Sequence, residues 1–173
     1  MRKNILLTGK PGVGKTTIIE KVIERIGKNK IHGFYTKEIR ENNKRTGFRI
    51  VTIDGKEGIL SHVNLKSRFR IGRYFVNIDD IDEICVKSIL DGIENGEWII
   101  IDEIGKMELL SEKFREAVLM ALDTKKVLGT VKGSGDEFTD KIKEREDTDV
   151  IEVNFDNRDL LVDRLIRKMR LTE

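Results

Sequence analysis

The chain alternates short apolar runs with longer stretches in which apolar residues return every three or four positions, the pattern of strands and helices taking turns. Asn4 to Thr8 reads as a buried strand. Gly14 to Gly27 reads as a helix, with Ile18, Ile19, Val22, Ile23 and Ile26 on one face and Gly27 as its stop. From Gly33 to Leu60 polar and apolar side chains alternate between Asn, Gly and Asp punctuation, which predicts a three-stranded meander. "GRYFVNI" predicts a further strand, and Asp79 to Asn95 a helix with Ile81, Ile84, Cys85, Ser88 and Ile89 inward. "EWIIID" is a continuous apolar run, as in a central parallel strand covered on both faces. Ser111 to Leu122 is expected as a helix opened by a loose capping box, and "KKVLGTV" as a strand. "KGSGDEF" is expected as a flexible loop, "DVIEVNF" as a strand, and Asn157 to Arg170 as a closing helix with Leu160, Leu161, Leu165, Ile166 and Met169 toward the core.

This succession predicts an α/β fold, doubly wound, with a mostly parallel sheet and helices on both faces. An antiparallel strand insertion is expected at roughly residues 32–62 of a single domain spanning 1–173. Charge changes this picture little. Lys and Arg number 33 against 31 Asp and Glu, so no broad basic field marks a nucleic-acid binder. The lone Cys85 lies in an apolar helical context, which excludes a disulfide framework and a cysteine-based metal site. No run approaches the ~18 apolar residues a bilayer span needs, and the first apolar run is too short for a signal segment. A cytoplasmic monomer without membrane contact is expected. The chain has no glutamine, only Ala117 and Ala121 as alanines, and abundant Lys, Glu and Ile. That bias fits a thermophile's ion-pair networks, and an AT-rich genome would also enrich Ile, Lys and Asn.

Chemistry enters between the first strand and the first helix. "GKPGVGKT", Gly9 to Thr16, fills every fixed position of the phosphate-loop pattern G-x-x-x-x-G-K-[ST]. Glycines at 9, 12 and 14 let the backbone wrap with its N–H groups inward, and the following helix adds its positive end. Lys15 would reach the β- and γ-phosphates, and the Thr16 hydroxyl would complete the shell of Mg²⁺. Thr8, Lys10, Pro11, Val13 and Thr17 complete the expected nucleotide-binding stretch. A second part is "WIIIDEIGKMELLS". Asp102 and Glu103 end a strand where α/β sheets bind ligands. Asp102 suits a magnesium contact, and Glu103 suits activation of a water for attack on the γ-phosphate. "DEIG" also matches the D-x-x-G switch of GTPases, but no N/T-K-x-D guanine reader accompanies it: "NRDL" and "TKKV" both depart from it. The lack of another obvious base-reading motif suits loose base selectivity.

These residues resemble the small P-loop nucleoside-triphosphatases first named from a thermophile, a family that includes the cancer-related nucleoside-triphosphatase. The resemblance rests on "TGKPGVGKTT", "GFYTKEIR" with "GFRIVTIDG", "IDEIGKMEL" and "KEREDTDVIEVNFDNRDLL", over roughly residues 4–161. It implies a RecA-like or kinase-like P-loop fold and Mg²⁺-dependent hydrolysis of several nucleoside triphosphates to diphosphate and phosphate. It also implies that Ile101, Asp102, Glu103, Ile104, Gly105 and Lys106 line the nucleotide site. Asn42 and Asn43 stand where the family pattern would lead one to expect glycines, and "ILSHVN" replaces a smaller segment.

Charge that spreads over the γ-phosphoryl oxygens calls for a cation beyond Lys15. Arg145 is the first candidate, as part of a lid formed with "KGSGDEF"; Lys106 and Arg73 follow. His32 and His62 have no metal-like or triad-like spacing. Two other functions remain open on the sequence. One is a nucleotide or small-molecule kinase, with Arg68, Arg70 and Arg73 as an acceptor region. The other is a nucleotide-dependent switch or nucleic-acid-associated ATPase, which the near-neutral charge disfavours.

Overall fold

A computed structural model of the protein describes residues 2–133 and 135–170. β1 (Asn4–Thr8) leads through the glycine-rich loop into α1 (Lys15–Ile26). β2 (Ile31–Glu41), β3 (Lys44–Thr52), β4 (Glu57–His62), β5 (Arg70–Ile71) and β6 (Tyr74–Val76) follow. α2 (Ile78–Asp80) continues through a π-helical stretch, Ile81–Val86, into α3 (Lys87–Asn95). Then come β7 (Trp98–Ile104), α4 (Glu112–Asp123), β8 (Val127–Val131), α5 (Glu137–Lys143), β9 (Thr148–Glu152) and α6 (Arg158–Arg170). Among the described residues one sheet of nine strands forms, in the order β5-β6-β4-β3-β2-β7-β8-β1-β9. Strands β2, β7, β8, β1 and β9 run parallel.

The central parallel strands β1, β7 and β8 are buried nearly throughout because both of their faces are covered. Ile5 and Leu7 of β1 join Trp98, Ile100 and Leu128 under α1 and α6, which contribute Ile19, Val22 and Leu165. Leu6, Ile99, Ile101 and Val127 point the other way, onto Cys85, Ile89, Phe114 and Val118 from the helices on the opposite face. Cys85 is fully buried there as a free thiol. Ser111 caps α4, its Oγ accepting from Phe114 N at 3.0 Å.

Three expectations are corrected. The antiparallel region does not end near 62. It runs through β6 and β5 to Val76, and β2 belongs to both halves of the sheet: Ile31–Phe34 pair with β7, and residues onward to Glu41 pair with β3. β2 has 11 residues against 7 in β7, its parallel neighbour, so its far half overhangs the sheet and recruits the hairpin. The turn of that hairpin is Asn42–Asn43, with φ of 51° and 61°, the left-handed pair that asparagine tolerates nearly as glycine does.

The segment "KGSGDEF" is not loop throughout. Asp136 caps α5, accepting from Thr139 N at 2.7 Å, so Glu137 and Phe138 are helical; Ser134 lies outside the described residues. In α6, Leu160 is 73% exposed and points away from the core, while Leu161, Val162, Leu165, Ile166 and Met169 are buried. Leu165→Ala is therefore expected to cost about 2–5 kcal/mol in urea unfolding, and Leu160→Ala less than about 0.5 kcal/mol.

Candidate active site

The site is built where β1 and β7 end and α1 begins. Gly14, at φ 106°, is the N-cap of α1, and Gly9 leaves β1 so close to the neighbouring strand that a Cβ there would sit 2.6 Å from the Val153 carbonyl oxygen. These two positions shape the loop. Lys15 folds back over it, Nζ donating to the carbonyls of Gly9 at 2.5 Å and Lys10 at 3.4 Å. Its ammonium thereby lies among the inward-facing groups of the turn.

Asp102, at the end of the apolar part of β7, is 1% exposed. Thr16 Oγ1 donates to its Oδ2 at 2.9 Å and Thr130 Oγ1, from β8, to its Oδ1 at 2.6 Å. Burial pushes the carboxyl up to about 6, with the two hydroxyls pulling the other way. Glu103 follows it into the mouth of the site. Burial raises its carboxyl too, and the positive charges of Lys15 and Lys132 oppose the rise. A Cβ on Gly105 would lie 2.8 Å from Glu103 Oε1, so that glycine makes room for the carboxylate. Behind it Glu108 is buried, and burial followed by the charge of Glu103 lifts its carboxyl well above the ordinary range.

A cleft of about 620 Å³ opens over the loop, within the range of small-ligand pockets. Gly12, Lys15, Thr16 and Glu103 form its floor, and Lys37, Arg45 and Phe48 of the overhanging hairpin form its far wall. Arg45 Nε donates to Tyr74 Oη at 2.9 Å and its Nη1 to Glu38 at 3.3 Å. Lys37 Nζ is 3.3 Å from Glu20 of α1. Among the described residues no group of three or more His, Cys, Asp or Glu side chains is assembled as a metal cage. The Thr16–Asp102 pair offers hard oxygen donors, which suits a Mg²⁺ ion that takes its remaining ligands from phosphate and water.

The structure thus brings Thr8 to Thr17 together with Ile101 to Gly105 at one edge of the sheet; Ile101 and Ile104 are buried and act through packing. Lys106 is exposed in the turn after β7. Arg73 stands behind the cleft, donating to the Arg45 carbonyl and to Tyr74 Oη. Arg145 lies elsewhere. Its guanidinium is held by Asp147 and Asp123 at 2.8 Å each, next to the strand entry where Asn4 N donates to the Asp147 carbonyl. Because β9 runs parallel to β1, residues just before β9 fall at the amino-terminal edge, a full strand length from the phosphate loop. The lid expectation is corrected accordingly. Thr130 and Arg45 lie in no motif; strand order brings the first to Asp102 and the long hairpin brings the second over the cleft.

The parallel sheet, the glycine loop and the acid pair on β7 define a P-loop NTPase. A family model described as NTPase matches residues 4–166, and the chain belongs to that family. It is 49% identical over 167 residues to the nucleoside-triphosphatase THEP1 of Thermotoga sp. (strain RQ2), covering 96% of this chain and 95% of the relative. It is 38% identical to a cancer-related nucleoside-triphosphatase homolog of Mus musculus, over 96% of each chain. Its fold matches the crystal structure of THEP1 from the hyperthermophile Aquifex aeolicus with a TM-score of 0.88 at 35% identity, over 96% of this chain and 98% of that one. No helix among the described residues is long and apolar enough to cross a membrane.

Thr130 orients Asp102 without reaching the cleft. Thr130→Val removes one of the two hydroxyl donors to this buried carboxylate and is expected to cost about 1–3 kcal/mol in urea unfolding.

Proposed function

We propose that the protein hydrolyses nucleoside triphosphates to the diphosphate and phosphate, with Mg²⁺ as cofactor and Glu103 as the base for the attacking water. The observation that carries this reading is the Glu103 carboxylate, half-sheltered in the mouth of the cleft one residue past the Thr16–Asp102 pair and close to Lys15. The relatives' names, nucleoside-triphosphatases, support it.

The loop N–H groups and the N-terminus of α1 hold the phosphate chain, and Lys15 turns from the Gly9 carbonyl to the β- and γ-oxygens. Thr16 and Asp102 would hold the magnesium, which would supply charge neutralisation to the phosphate chain. Glu103 accepts a proton from water as the water oxygen bonds to the γ-phosphorus. The bond from that phosphorus to the β–γ bridging oxygen breaks, its electron pair leaving with the nucleoside diphosphate. Burial that raises Glu103 makes it a better proton acceptor than a solvent-exposed glutamate. The positive charge that balances the γ-oxygens comes from the hairpin wall, Arg45 foremost, in place of Arg145.

Phosphate release from Mg·ATP, Mg·GTP, Mg·CTP and Mg·UTP without an added acceptor tests this. Release from several of them is expected, abolished by chelation of magnesium. Glu103→Gln should lose about 10²-fold or more in kcat while still binding nucleotide. Arg45→Ala should lose about tenfold or more in kcat, and Arg145→Ala less than about twofold. Full activity in Glu103→Gln would refute the water-activation step.

A further inference from the structure

Phe155 is 69% exposed, a large aromatic ring left in solvent at the tip of the turn between β9 and α6. The turn is rigidly built. Asn154 Oδ1 accepts from the backbone N–H groups of Asp156 and Asn157 at 2.9 Å each, and Asn157 Oδ1 accepts from Asn154 N at 2.9 Å. Asn157 Nδ2 donates to the Glu152 carbonyl at 2.8 Å. The turn is also joined to the phosphate loop. Val153 N donates to the Thr8 carbonyl at 2.7 Å, and the Val153 carbonyl oxygen is the group that leaves no room for a Cβ at Gly9. Arg158 links the two: its guanidinium carbon lies 4.9 Å from the Phe155 ring centre, and its Nη1 reaches the Val13 carbonyl at 3.4 Å beside Gly14.

Strand order decides which end of a bound ligand meets this ring. The order β7-β8-β1-β9 puts Asp102 and Glu103 on one side of the phosphate loop and Phe155 on the other. A phosphate chain laid along the loop with its γ end at Glu103 must direct its nucleoside away from β7, toward the β9–α6 turn. The hairpin cleft with Arg45 and Lys37 lies on the γ side and does not compete for the base.

We infer that Phe155, backed by Arg158, is the stacking platform for the nucleobase; this rests on the nucleotide reading of the phosphate loop given above. The guanidinium lies over the ring, which stays 69% exposed, and every base has a π-face to lay against it. The Asn154 Oδ1, Asn157 Oδ1 and Asn157 Nδ2 groups are engaged in holding the turn. These three groups are thus committed to the backbone, and recognition that rests on stacking accepts purines and pyrimidines. Loose base selectivity is then a property of this turn.

The test is equilibrium binding of ADP, GDP, CDP and UDP with magnesium to the full chain, with pyrophosphate as the counterpart that has no base. Phe155→Ala is expected to weaken all four diphosphates by roughly five- to a hundredfold and to leave pyrophosphate within about twofold. Phe155→Trp should retain ADP affinity within about threefold, and its new indole should be quenched by ADP and not by pyrophosphate; the native Trp98 is buried. Unchanged ADP affinity in Phe155→Ala would overturn the platform. So would equal weakening of ADP and pyrophosphate, which would mean the ring merely supports the loop. Wild-type protein that binds pyrophosphate but gains nothing from the base would defeat the platform and spare the phosphate site. Wild-type protein that binds neither would defeat the nucleotide reading itself.

Discussion

A carboxylate buried at the centre of the sheet is the constraint around which the rest is arranged. Asp102 lies 1% exposed, where an isolated charge would be costly, and two threonine hydroxyls are its direct donors. Each donor comes from a different element, Thr16 from the first turn of α1 and Thr130 from β8. The single side chain therefore ties the helix that opens the phosphate loop to two central strands. Its remaining cost is what a divalent cation would offset, which links the order of the site to its ligand.

Parallel strands make this possible. All five parallel strands bring their carboxyl ends to one edge, so a loop after β1, an acid pair near the end of β7 and a turn after β9 become neighbours although far apart in the chain. The antiparallel extension has a different role. It is reached through the overlong β2, whose outer half leaves the parallel sheet and, with β3 paired to it, places Lys37, Arg45 and Phe48 over the loop. The site is accordingly a cleft with its floor on the parallel sheet and its wall on the antiparallel extension. Charge is supplied from both sides: Lys15 from the floor, Arg45 from the arm.

Much of this was legible residue by residue. Periodicity located the helices and strands within a few positions because burial imposes it locally. The phosphate loop was legible because its glycines, lysine and threonine act within eight consecutive residues. The acid pair was legible because a four-residue apolar run delivers it to a strand end. Leu160 was misread because helical spacing alone does not fix how wide the buried stripe is; Val162, not Leu160, completes it. The "KGSGDEF" segment has the composition of a loop, and composition does not distinguish an aspartate in a loop from one that caps a helix, as Asp136 does.

The sequence by itself determined the class of fold, the phosphate loop and the acids that face it, since each is encoded by neighbours in the chain. Tertiary structure alone decided which distant residues join them. Arg145 follows the glycine-rich segment closely, yet β9 enters the sheet at the edge away from the loop, and Asp123 and Asp147 hold it there. Arg45 sits in a polar hairpin with no motif around it, and only the length of β2 brings it over the cleft. Thr130 and Phe155 are likewise ordinary in sequence and become informative through strand order. Local patterning reports which face a residue shows; the register and direction of strands far apart in the chain report what it faces.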